Sequence, residues 1–157
     1  MKKLNLFLAL LLLSTFCFSQ DFSTESTALA NFLKRMYNQT AFEGVKIVED
    51  YDNSYLISVI SLEKAKYNNE STMNRVAQVK ARQQASVFLN GSTISSDLVI
   101  QTTETKKTTN TETITEMVET IKEQSVGFVQ GMELMINFLS AKDPERMVFI
   151  YARKIGK

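Results

Sequence analysis

Apolar positions change their period several times along the chain, and each change marks an element. Thr24 to Tyr37 carries Leu29, Phe32, Leu33, Met36 and Tyr37, the spacing of one helix face. Ser23 or Thr24 can cap that helix, with Glu25 in its first turn. From Phe42 to Leu62 the period falls to two. Val45 and Ile47, then Tyr55, Ile57 and Val59, alternate around the polar break Asp50-Tyr51-Asp52-Asn53, which predicts a β-hairpin with an acidic turn. Ser71 to Asn90 returns to helical spacing, with Met73, Ala77, Ala81, Ala85 and Phe88 in one stripe and Arg75, Lys80 and Arg82 mostly off it. Alanines on a buried stripe remove bulk, so this helix can lie close against a sheet. Asn90-Gly91 predicts a left-handed stop.

Ile94 to Thr105 reads as a strand, and Thr102 to Thr115 contains eight threonines, with Lys106, Lys107 and Asn110 at a turn. Ile114, Met117, Val118 and Ile121 have helical spacing, yet a strand continuing from Thr111 fits residues 111–123 as well. Val126 to Phe138 and Met147 to Lys154 predict a last hairpin, turned by Asp143-Pro144-Glu145 with the only proline at a type I position. An internal echo accompanies it. "FEGVKI" at 42–47 and "VQGMEL" at 129–134 each follow an amphipathic segment and precede a polar turn and an aliphatic strand. The pattern implies one α+β domain, an antiparallel sheet of hairpins packed with two to three helices, with an internal helix-hairpin duplication suggested.

The first residues follow a different logic. Lys2 and Lys3, the apolar run Leu4 to Leu13 and the more polar Ser14 to Gln20 have the layout of a secretory signal. The run falls short of the roughly 20 residues that span a bilayer, and no later stretch approaches that length. The only cysteine, Cys17, raises the rival outcome of a lipid anchor. A lipobox needs a small residue before the cysteine, and Phe16 stands there. Cleavage after Ser19, with Cys17 and Ser19 as small residues at −3 and −1, fits better. Residues 1–19 are therefore expected to leave as a signal peptide, residues 20–157 to form the domain, and lipidation of Cys17 is not expected.

Composition then narrows the chemistry. Without Lys2 and Lys3 the chain has 16 basic against 17 acidic residues, which gives no electrostatic footprint for nucleic acid. There is no histidine, and none of the cysteine remains after cleavage, so imidazole bases, thiol nucleophiles and ordinary zinc or copper sites have no residues to build them. Glu49, Asp50 and Asp52 cluster in "EDYDNS", but a calcium loop counted from Asp50 would need Gly and Glu where Tyr55 and Ser61 stand. The cluster reads as a solvated turn. Tyr51 and Phe128 read as edge or core residues, and no catalytic, cofactor-binding or metal-ligating residue is assigned.

The alanine-spaced "NRVAQVKARQQASVFLNG", the Ser/Thr-rich stretch after it and the closing "GFVQGMELMINFL…MVFIYARK" resemble the LPP20 lipoprotein family of bacterial envelopes, over residues 40 to 155. The resemblance implies an envelope or surface protein and brings no shared catalytic residue. The signal's end, a small residue followed by Gln, resembles secretory signals of Bacteroidetes-type bacteria. The chain departs from the family at the lipobox, through Phe16. The expectation is a non-enzymatic exported protein of the periplasm, outer membrane or exterior that binds a protein partner or itself. The alternative is a small secreted hydrolase using paired carboxylates. Processing can be checked directly: the intact mass of the protein from its host should correspond to a chain beginning at Gln20 or Asp21 without acyl groups. A diacylated or triacylated Cys17 would overturn this.

Overall fold

Two β-hairpins lie side by side in a computed structural model that describes residues 21–50, 53–91, 98–102, 118–119, 121 and 125–156. Helix α1 (Asp21–Gln39) leads into strands β1 (Gly44–Asp50) and β2 (Asn53–Glu63). A 3-10 turn, Lys64–Lys66, precedes helix α2 (Glu70–Gly91) and the short strand β3 (Val99–Gln101). Helix α3 (Ser125–Gln130) then enters strands β4 (Glu133–Leu139) and β5 (Arg146–Gly156). The sheet order is β3-β1-β2-β5-β4. The protein is α+β.

The centre of the sheet is the antiparallel pair β2 and β5, in register from Tyr55 opposite Lys154 to Glu63 opposite Arg146. Both faces of this pair are covered. Leu56, Ile60 and Leu62 of β2, with Phe149 and Tyr151 of β5, meet Met73, Ala77, Ala81 and Ala85 of α2. On the other face Ile57, Val59, Val148, Ile150 and Ala152 meet Leu29, Leu33 and Tyr37 of α1. Period two in the sequence therefore understated β2, which is buried at every position from Leu56 to Leu62. Two serines sit within that run and both are satisfied. Ser58 donates its hydroxyl to Gln84 Oε1 at 2.9 Å, and Ser61 Oγ accepts from Arg146 Nε at 2.6 Å.

Both predicted helices are present with slightly wider bounds, and Asn69 caps the second by accepting the Thr72 amide at 2.8 Å. The first hairpin closes with Asp50 opposite Asn53. At the second turn the Arg146 amide donates to Asp143 O at 3.0 Å across Pro144. Val118, Glu119 and Ile121 are helical, which favours the helical alternative at those positions, with Val118 buried against the α2 side.

Four expectations need correction or fall outside. The sheet is mixed, because β3 runs parallel to β1, with Ile47 opposite Val99 and Glu49 opposite Gln101. Only Val99–Gln101 of the strand predicted over 94–105 is a strand among the described residues; the Thr-rich segment 103–115, Ile114, Met117 and the tip Tyr51-Asp52 lie outside them. Val126 to Gln130 is helix rather than strand, because the adjacent Phe128 and Val129 both turn into the α2-side core. Gly91 ends α2 still helical, and the positive-φ glycine is Gly44 at +109°.

The two hairpins match in strand length, but the echo is offset in them: Gly44 opens β1, whereas Gly131 lies two residues before β4. β1 and β4 have seven residues each and β2 and β5 eleven, arranged as mirror neighbours about the β2–β5 line. Val45 and Met132, matched in the echo, both lie on the α2 side. The helices before the hairpins do not follow, since α1 covers one face and α3 the other.

The alanine stripe sets the distance of α2 from the sheet. Ala77, Ala81 and Ala85 are each fully buried. Ala81→Leu should overpack the site and cost about 1–3 kcal/mol in urea unfolding. Lys80→Leu, at the exposed neighbouring position, should stay within about 0.5 kcal/mol. Equal, negligible effects would refute the close approach.

Candidate interaction edge

The two outer strands differ. β3 has three residues and is the short edge; β4 has seven, Glu-Leu-Met-Ile-Asn-Phe-Leu, and among the described residues pairs with β5 alone. An edge strand presents a row of backbone donors and acceptors, and proteins usually blunt it with Lys, Pro or a short length. β4 contains neither residue. One bulge, between Leu134 and Ile136, is its blunting feature.

Faces follow from the register, because residues opposite one another point to the same side. Leu134 opposes Tyr151 and Leu139 opposes Met147, so both leucines lie on the α2 side. There they are 42% and 47% exposed. Ile136 and Phe138 oppose Ile150 and Val148 and face α1. Phe138 is fixed by an edge-on contact with the Tyr37 ring, centroids 5.6 Å apart, and Lys34 Nζ lies 5.6 Å from its centroid.

Both ends of the strand are held. Before it, the Arg153 guanidinium of β5 stacks over the Phe128 ring at 4.6 Å and donates to Gly127 O at 2.6 Å and to Phe128 O. Arg82 of α2 donates to Gln130 O at 2.8 Å. Two cations thus satisfy carbonyls at the end of α3, where intrahelical donors run out. Gly131 leaves room for the same contact, since a Cβ there would stand 2.7 Å from Arg153 Cζ and make the guanidinium move. Beside this corner Tyr151 donates to Asn74 O at 3.3 Å, and burial pushes its phenol above the usual range against the opposing effect of Arg82. After the strand, the Ser140 amide donates to Arg146 O at 3.0 Å, and Ser140 Oγ accepts from the Asp143 amide at 3.3 Å. The edge is a fixed surface.

The helical spacing places Arg82 mostly off the buried stripe. It is off the stripe, yet half-buried and bonded to α3, a role that its helical position could not reveal. The sequence reading also missed Arg153, whose signal was a cation following the apolar run Met147 to Ala152.

Of the acidic cluster, Glu49 and Asp50 are described and Asp52 lies outside the described residues. Glu49 and Asp50 are successive in β1 and point to opposite faces. Glu49 is buried, and Asp50 Oδ1 accepts the Thr102 hydroxyl at 2.5 Å, which ties β1 to the end of β3. Ser61, in the place a calcium loop would need Glu, bonds Arg146 instead. Among the described residues no group of three potential metal ligands converges. Two shallow grooves run along the outside of α2. One, of about 370 Å³, lies beside Gly44 and Val87, and the other, of about 480 Å³, beside Val76 and Val79. The described residues lining them carry no carboxylate.

Comparison of the chain with family models, curated proteins and solved structures returns no match.

The Arg153 contact can be tested through Gly131. Gly131→Ala must displace the guanidinium from its carbonyls and should cost about 1–2 kcal/mol. In an Arg153→Met background the same change should cost less than about 0.5 kcal/mol, a coupling that thermal or urea melts of the four proteins would measure. Simple additivity would show that the clash is relieved elsewhere.

Proposed function

We propose that the protein is an exported, non-enzymatic module of the bacterial envelope that binds protein through β4, the strand that among the described residues is unpaired on its outer side. The observation that carries the reading is β4, a seven-residue apolar strand held at both ends, without Lys or Pro, and carrying two half-exposed leucines. Such an edge offers main-chain hydrogen bonds for affinity and side-chain positions for selectivity, the physics of strand addition. Export is supported by the layout of residues 1–19, and an envelope role by the resemblance to the LPP20 family. No helix among the described residues is long and apolar enough to cross a membrane.

Fractionation of the host into cytoplasm, periplasm, outer membrane and medium should recover the processed protein outside the cytoplasm. Recovery of the unprocessed chain in the cytoplasm would end the envelope reading.

A further inference from the structure

The last turn of α2 carries the one Asn-Gly pair in the sequence, Asn90-Gly91, and both residues are exposed. Asn90 Nδ2 donates to Ser86 O at 2.8 Å and to Ser86 Oγ at 3.3 Å, so the carboxamide is held back over the preceding turn. A Cβ built at Gly91 meets nothing within 4 Å, so the space around this residue is open. We propose that Asn90 is a deamidation site, closed while the last turn of α2 is wound and opened when that turn frays.

The reaction needs only the chain and water. In the unwound turn the backbone nitrogen of Gly91 attacks Cγ of Asn90. The new N–C bond forms, the Cγ–Nδ2 bond breaks, and ammonia leaves with the proton of the Gly91 amide. Water then opens the five-membered imide at either carbonyl, leaving aspartate or an isoaspartate whose backbone runs through the former side chain. Glycine at residue 91 favours the attack, because any side chain there would crowd the nitrogen. The wound helix opposes it twice. A helical amide is committed to the hydrogen-bond ladder, and the bonds to Ser86 hold the carboxamide on the turn before. Helix ends open more readily than helix centres, so the last turn of α2 sets the rate.

The product is a poorer residue for this place. A carboxylate at residue 90 has no proton to give Ser86, and it sets a negative charge at the negative end of the helix. The same turn carries Phe88 and Leu89, both buried in the core on the α2 side. Deamidation thus converts a transient opening into a lasting loosening of the end of α2.

Incubation of the purified protein in mildly alkaline buffer, followed by peptide mapping, should show an amide-to-acid mass change at residue 90 before any other asparagine. A peptide of residues 86–94 should convert about tenfold faster or more, and urea that unfolds the protein should bring it to the peptide's rate. Gly91→Ala should slow conversion about tenfold while keeping the melting temperature at or above the parent's, since alanine favours helix. Asn90→Asp should speed hydrogen exchange at the amides of residues 86–91 and leave β2 and β5 unchanged. Residue 90 still intact after about a hundred half-times of the peptide overturns the site, as does conversion indifferent to Gly91→Ala. Conversion as fast in the folded protein as in the peptide overturns the closing role of the helix. Unchanged exchange in Asn90→Asp overturns the loosening.

Discussion

The antiparallel pairing of β2 with β5 is the constraint on which the other elements depend. Its two strands are long, central and covered on both faces, so every side chain from Leu56 to Leu62 must be either apolar or satisfied by hydrogen bonds. That condition explains the two serines, each bonded to a neighbouring element, and the closing arginine that joins the strand ends. It also explains the alanines of α2. A helix laid across a two-sided sheet approaches as closely as its small residues allow, and close packing makes up in dispersion contacts what the small side chains lack in area. The chain has no histidine, and its single cysteine has nothing to pair with, so this burial carries the stability without cross-links.

Local signals were legible where local chemistry decides the structure. The two long helices follow from their spacing, and the second is closed at its start by Asn69, a cap readable from residue type although the periodicity began later. The turns at Asp50 to Asn53 and at Pro144 follow from turn residues between apolar runs. What the pattern missed depends on distant partners. "SVGFVQ" has β-favouring residues, and its six-residue helix exists because Arg153 and Arg82, one from a strand and one from another helix, satisfy its carbonyls. The parallel pairing of β3 leaves no trace either, because parallel neighbours need no turn between them. The open edge was readable only in part: the apolar letters of β4 are in the sequence, but which strand lies outermost is decided by the sheet order.

Arg153 and Gly131 show how one contact serves both fold and edge. The guanidinium stacks on Phe128, bonds the carbonyls that precede the strand, and occupies the space that any Cβ at residue 131 would take. The entry to β4 is thereby fixed in direction. An edge strand of uncertain register would invite many partners, since a shift of one residue exchanges its two faces. Fixing both ends makes the outward row of backbone groups a defined pattern, and that is the requirement for selective pairing rather than for aggregation.

The partial symmetry of the sheet gives this edge its meaning. Two hairpins of equal strand lengths meet at β2 and β5, so their outer strands start from equivalent positions. Their surroundings then diverge. α1 and α3 lie on opposite faces, and the chain between α2 and α3 returns one strand to β1 and, among the described residues, none to β4. The exposed leucines stand on the α2 side of β4, where α2 itself makes its close approach to β2 instead. Two hairpins of equal strand length thus carry different outer edges, one completed by β3 and the other, among the described residues, paired with β5 alone.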